Sequence, residues 1–331
     1  MKKSNIILLF ALFCITPIIA KAHVKWFTQK EPEKIPIEQI LSIEFIVLSL
    51  LIALFLALLS QFIPQLMKIP GVATIDKKLD EYRKYSRLIL QYGTAASFIL
   101  QVVNGTMFAP EFTIHHGWQT VLMWAIIVLL LIPHHIATKI ASVLMLGLFL
   151  YIWSYSGWFH MLDYGFYLAI IGVLLVGRTR WETAGFPFLY LGTGLSLCWV
   201  AVEKWVYPFM TIDIIHRHQV PTFGFPPELF IVLSAFIEFV VGYLLVVGIL
   251  NRLLAVAVTI LFVLTTMIFG YTEVVGHAMI HIVLLIFIIE GISFYHPPVK
   301  MHKTRLDQMI FVFLNFLFVL STFLLIYYRF A

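Results

Sequence analysis

Charge is what this 331-residue sequence has least of: Asp, Glu, Lys and Arg make up 12% of it, half the roughly 25% of an ordinary soluble domain. That leaves too little polar surface to cover a water-soluble globule. Cysteine is almost missing as well. Cys14 and Cys198 are the two copies, one in a leader-like segment and one in an apolar run. A processed chain therefore has no intramolecular disulfide, and no CxxC redox pair or zinc ribbon exists. Nor is there a haem-attachment motif or a glycine fingerprint for flavin or nicotinamide. Any electron transfer would need a bound metal, a quinone or a partner subunit.

What the sequence has instead is apolar bulk: 61% hydrophobic residues with 30 Phe, and a mean hydropathy of +0.97. The lipid bilayer is the expected solvent. The apolar runs are continuous rather than alternating, which excludes a closed β-barrel and leaves an all-α integral membrane protein. The formal net charge of +5 does not indicate nucleic acid, because the basic residues sort by loop.

Lys2 and Lys3, the apolar stretch Ile6 to Ile19 and then Ala20-Lys21-Ala22 have the order of a secretory signal peptide over 1–22. Cleavage after Ala22 would expose His23 as the amino terminus of a periplasmic tail over 23–38. About ten apolar stretches are long enough to cross ~30 Å of hydrocarbon as helices: 39–63, 87–107, 117–136, 139–157, 161–177, 186–206, 227–250, 253–272, 276–293 and 307–328. With the tail outside, the inner segments hold Lys68, Lys77, Lys78, Arg83, Lys84, Arg87, Lys139, Arg178, Arg180, Arg252, Lys300, Lys303 and Arg305. The outer loops and carboxyl terminus hold Lys204, Arg217 and Arg329. Lys25, Lys30 and Lys34 of the tail run against this bias, but a signal peptide can translocate such a tail, so a bacterial inner membrane with the mature amino terminus periplasmic is the expectation. The inner segment Asp76 to Ser86 reads as an amphipathic helix on anionic lipid.

An internal echo runs through the middle of the chain. Gln91-Tyr-Gly-Thr-Ala-Ala-Ser97 and Val102-Val-Asn104 match Tyr190-Leu-Gly-Thr-Gly-Leu-Ser196 and Ala201-Val-Glu203. Each match opens a block of four spans, 87–177 and 186–293, ending at Gly177 and Gly291. Four spans return the chain to the same side, so two parallel four-helix repeats related by an axis along the membrane normal are expected.

The residues able to do chemistry gather at the outer ends of the spans. Eight of the twelve histidines fall there: His23, His115, His116, His160, His216, His218, His277 and His281. The acids Asp163, Glu203, Asp213 and Glu273 lie near them. Glu273, His277 and His281 are spaced by four, which aligns them on one helix face unless Gly276 breaks the helix. His160 and Asp163 stand three apart at the matching end of the first block, where a carboxylate can orient a ligating imidazole. A free amino-terminal His23 offers its amine and ring nitrogen together to copper. His23, His160, His277 and His281 are thus candidate copper or zinc ligands. Within the hydrocarbon, Glu238 near the middle of its span and Glu44 a third of the way into the first are functional candidates by their cost alone. Glu203 and Lys204 are adjacent and so point to different neighbours.

Residues 186–293 resemble the DoxX family of four-helix bacterial membrane proteins. The resemblance rests on Glu203-Lys204 with Pro208, on Pro227-Glu-Leu-Phe with Glu238, Gly242 and Gly248 before Arg252, and on Phe269-Gly-Tyr-Thr-Glu-Val-Val-Gly-His277. The first block looks like a degenerate copy, with Asn104 where the second has Glu203 and nothing matching Glu238. The family includes small subunits of thiosulfate:quinone oxidoreductase, and the resemblance implies a redox-associated, quinone-linked subunit with a partner. Its animal relatives act as assembly chaperones, so fold alone does not make an enzyme.

Three expectations follow. In the first, Glu203, Glu238, Glu273 and His277 line an outward-opening cavity for quinone or a small reduced substrate and handle its protons. In the second, the outer histidines bind or transport copper or zinc, with Glu238 on the path inward. In the third, the chain is a non-catalytic assembly factor and its outer histidines are scattered around the rim.

Overall fold

The computed structural model describes residues 26–66, 72–291 and 304–331; His23 and the signal-peptide expectation lie outside the described residues. The architecture is all-α. In chain order the helices are α1 (Ile37–Ile40), α2 (Ile43–Leu66), α3 (Val72–Asp80), α4 (Ser86–Val103), α5 (Gly117–Leu131), α6 (His135–Ser156) and α7 (Trp158–Met161). They continue with α8 (Gly165–Val176), α9 (Gly185–Val206), α10 (Pro208–Arg217), α11 (Pro227–Val247), α12 (Asn251–Phe269), α13 (Tyr271–Glu290) and α14 (Arg305–Phe330).

Among the described residues, seven helical segments are long and apolar enough to cross a bilayer: α2, α6, α9 with its preceding turn, α11, α12, α13 and α14. The other expected spans are helical but fall short of that measure. α5 and α8 are apolar with 15 and 12 residues, while α4 is 18 residues long and carries Arg87, Gln91 and Gln101. Glu44 is also placed differently from expectation. The first long helix starts only at Ile43, so Glu44 sits in its first turn, where the helix dipole favours a carboxylate.

The helices pack as two apolar cores. In one, α4, α5, α6 and α8 form a closed bundle around Phe98, Phe108, Phe149 and Tyr167, and α13 joins it through α4. In the other, α2 and α14 pair and close over one side of α9 and α11 around Phe45, Trp205, Phe236, Phe239, Phe316 and Tyr327. The outer faces of α2, α12 and α14 are bare. Leu51, Phe55, Met267 and Phe318 are 56–78% exposed, as lipid-facing positions should be.

The closest crossing is α9 on α11, and two glycines permit it. A side chain on Gly194 would meet the Gly242 carbonyl, and one on Gly242 would meet the Gly194 carbonyl and the Cys198 backbone. Small residues let helix backbones touch where lipid offers no hydrophobic drive to association. On the other flank of α9, Gly192 lies against Ala169 of α8; in α4, Gly93 lies against Ile282 of α13. α11 is delimited by Pro227 in its first turn and by left-handed Gly248 at its end.

Arginines finish the helices at one end of the bundle. Arg252 donates to the Ile288 and Ile289 carbonyls, Arg83 to Glu290 O, and Arg87 to Val173 O. Cations there meet the partial negative charge of helix carboxyl termini. Glu111, His160, Glu273 and His277 sit at the opposite end, while Asp76, Asp80 and Glu182 pair with these arginines.

Candidate functional site

α9 crosses α11 tightly and α12 pairs with α13, but α11 and α12 meet only sparsely. A cavity of about 320 Å³ lies between these two pairs, within the ~300–1,000 Å³ typical of small-molecule sites. Its walls are mainly apolar and aromatic, with Phe230, Ile237, Val241, Leu261, Phe262 and Phe269 among them. Ile237 and Leu261, from α11 and α12, line it while remaining 61% and 48% exposed. The cavity therefore opens sideways onto the lipid-facing surface. At the histidine end Trp26 and Phe27 close it. That segment is held by a Phe27–Phe269 stack at 4.5 Å, by His218 against the Phe27 carbonyl at 3.2 Å, and by Asp213, which accepts from the Thr28 hydroxyl at 2.7 Å.

Two ionisable pairs face the cavity from opposite sides. On the α9/α11 side, Lys204 Nζ reaches Glu238 Oε2 at 2.5 Å. Lys204 lies in the last turn of α9 and Glu238 midway along α11. On the α13 side, Glu273 Oε1 lies 3.1 Å from His277 Nδ1 and accepts from the Thr265 hydroxyl at 2.6 Å. α13 runs unbroken through Gly276. Glycine is needed there because the Trp26 indole occupies the space a Cβ would take. The His277 ring lies between Phe262, stacked at 4.5 Å, and Trp26 at 5.3 Å.

A second ionisable cluster stands beside the first. The Trp26 indole donates to the Tyr164 hydroxyl at 3.2 Å, and Tyr164 donates to Glu111 Oε1. The other Glu111 oxygen is 3.1 Å from His160 Nε2, and His160 Nδ1 is 3.5 Å from Asp163 Oδ2. Asp163 and Tyr164 also line the cavity.

The DoxX family model matches residues 192–271. These residues form a DoxX family domain. The domain spans most of α9, all of α10, α11 and α12, and the start of α13; it contains Gly194, Lys204, Glu238 and Gly242, and stops short of Glu273 and His277. No curated protein and no solved structure matches the chain.

Of the residues singled out in the sequence, Glu238, Glu273 and His277 share the cavity, which helices of the DoxX domain mostly line. Glu203 does not: it is 1% exposed and lies near Tyr207 and Tyr327, away from the lining. Its neighbour Lys204 takes the place in the cavity, as adjacent residues on a helix must diverge. His281 shares a helix face with His277 and meets the edge of Phe262 at 5.9 Å. His160 belongs to the Glu111 cluster. His115, His116 and His216 are exposed. Among the described residues, no three His, Cys, Asp or Glu side chains are gathered so that they could hold a metal ion.

Sequence reasoning did not reach Glu111 or Trp26. Glu111 lies in the loop after α4, which folds back through a Thr106–Thr113 bridge; only that fold brings it to His160. Trp26 gives no signal beyond its aromatic character.

Proposed function

We propose that this DoxX-domain membrane protein is a redox-associated subunit that takes a lipophilic quinone or quinol from the bilayer into the cavity between α11 and α12. The observation that carries this reading is one apolar, laterally open cavity with Lys204–Glu238 on one side and Glu273–His277 on the other. A quinone head needs hydrogen-bond donors to its carbonyls and proton partners when it is reduced, and its tail needs an apolar route from lipid. Oxidation of a quinol gives up two electrons and two protons. The carboxylates and His277 receive the protons, and a partner subunit's redox centre takes the electrons. Lys204 and the Thr265-braced Glu273 fix the polar groups so that the head is bound in one orientation.

Two further readings belong to the same proposal. All ten apolar helices cross the inner membrane, the shorter α4, α5 and α8 within the bundle, with the arginine end cytoplasmic and the histidine end periplasmic. The chain is a duplication of four-helix units, α4, α5, α6, α8 and α9, α11, α12, α13. In support, the first helix of each unit uses equivalent glycines, Gly93 and Gly192, to pack on the last helix of the other. The first unit is filled and the second hollow, so the site belongs to the second.

Decylubiquinone titrated into the protein in lipid nanodiscs tests the function, because Trp26 lines the cavity and its fluorescence is quenched by a bound quinone. Saturable quenching, weakened about tenfold or more in Lys204→Met and His277→Ala, is the expected result. Quenching that rises linearly with quinone and is the same in every variant overturns the proposal.

A further inference from the structure

Resting on that reading, we infer that Glu111, His160 and Asp163 form a proton relay joining the cavity wall to water at the histidine end. The geometry is of an imidazole held between two carboxylates. Asp163, on the cavity wall, faces Nδ1 at 3.5 Å, and Glu111 faces Nε2 at 3.1 Å. The side chains of His160 and Asp163 are each 2% exposed, whereas that of Glu111 is 17% exposed. Glu111 is thus the member that reaches towards the surface, and each member lies within 3.5 Å of the next.

The chemistry of one transfer balances without electrons. An Asp163 O–H breaks as an N–H forms at His160 Nδ1, and the Nε2–H breaks as an O–H forms on Glu111, which releases the proton to water. A ring flip or the reverse transfers reset the imidazole. The 3.5 Å contact must shorten for the first step, as catalytic hydrogen bonds commonly do once a site is occupied. Tyr164 fixes Glu111 by donating to its second oxygen, and Trp26 fixes Tyr164. These two are positioning residues.

The cluster lies in the loop after α4 and in the turn between α6 and α8, outside the DoxX domain. The first four-helix unit, whose core is filled by Phe98, Phe108, Phe149 and Tyr167, thereby serves the second: it carries protons between that unit's cavity and the surface. A buried carboxylate–imidazole–carboxylate set is costly to build for stability alone, since both charges must be desolvated.

Histidine-selective ¹⁵N NMR of the purified protein in nanodiscs tests the relay with no quinone present, with His160→Gln assigning the signal. In the wild type the His160 ring N–H is expected to exchange with water too fast to be seen, despite its burial. In Glu111→Gln exchange is expected to slow at least tenfold, so that the N–H appears, while Glu111→Asp restores the fast exchange. A His160 N–H visible in the wild type and unaltered by Glu111→Gln overturns the relay. The quinone titration can fail or succeed independently, so the two ideas are judged apart.

Discussion

Replacing Gly242 by alanine should weaken the fold, whereas the same change at Gly147 should not. A Cβ at 242 would stand 2.6 Å from the Gly194 carbonyl oxygen, 2.8 Å from Cys198 Sγ and 2.9 Å from the Cys198 amide nitrogen. Two of those three atoms are backbone, so no rotamer relieves the clash and α9 and α11 must separate by about 1 Å. Overpacking of this kind costs roughly 1–3 kcal/mol, with the upper end appropriate for backbone against backbone. Alanine's better helix propensity returns up to about 1 kcal/mol, leaving a net loss near 2 kcal/mol. Nothing lies within 4 Å of a Cβ at Gly147, so Gly147→Ala keeps only the propensity gain, between zero and about 1 kcal/mol. Equilibrium unfolding in mixed micelles, followed by far-ultraviolet dichroism and tryptophan fluorescence, reads both. Equal shifts in the two variants, or a Gly242→Ala protein as stable as the wild type, would refute the described α9–α11 crossing.

The Lys204–Glu238 pair should behave as a coupled unit. Because its side chains are 21% and 20% exposed, Glu238→Gln or Lys204→Met alone is expected to cost about 2–3 kcal/mol, below the ~3–5 of a fully buried pair. The double variant should lose clearly less than the sum, which a double-mutant cycle measures. Gly276→Ala should expel the Trp26 indole and raise iodide quenching of tryptophan fluorescence, while quenching equal to wild type would count against the Trp26 roof. Asp213 predicts a pH dependence. Arg217 first, and the Thr28 hydroxyl after it, hold its carboxyl down at about 2. A lowered carboxyl stabilises the fold above its ordinary value near 4 and loses that contribution as pH falls towards 2. The melting temperature should therefore fall between pH 4 and 2 more steeply in the wild type than in Asp213→Asn, with the two parallel above pH 5.

The helices are legible in the sequence because long apolar runs have few other solutions in lipid, and their turns carry Pro227, Gly248 and Gly291 where capping predicts them. Glu44 is not, since an apolar run does not show that the helix restarts after Leu41. The Glu273–His277 pair is legible from spacing alone. Gly276 reads as a break, yet it is a packing contact, a distinction only Trp26's position can make. Lys204 and Glu203 are indistinguishable in sequence because the choice depends on the rotation of α9, which Gly192 and Gly194 set through two different neighbours. Glu111 lies beyond reach for a related cause: its partners His160 and Tyr164 come together only through a loop that returns over the bundle.

A quinone that enters from lipid between α11 and α12 and sits between the two ionisable pairs must touch both of those helices. Photolabelling with an azido-quinone in native membranes, followed by peptide mapping, tests this most directly. Labels on α11 and α12 around Ile237, Val241, Leu261 and Phe262, removed by excess unlabelled quinone, are the predicted result. Labels confined to the outer faces of α2 and α14, or undiminished by competitor, would contradict it.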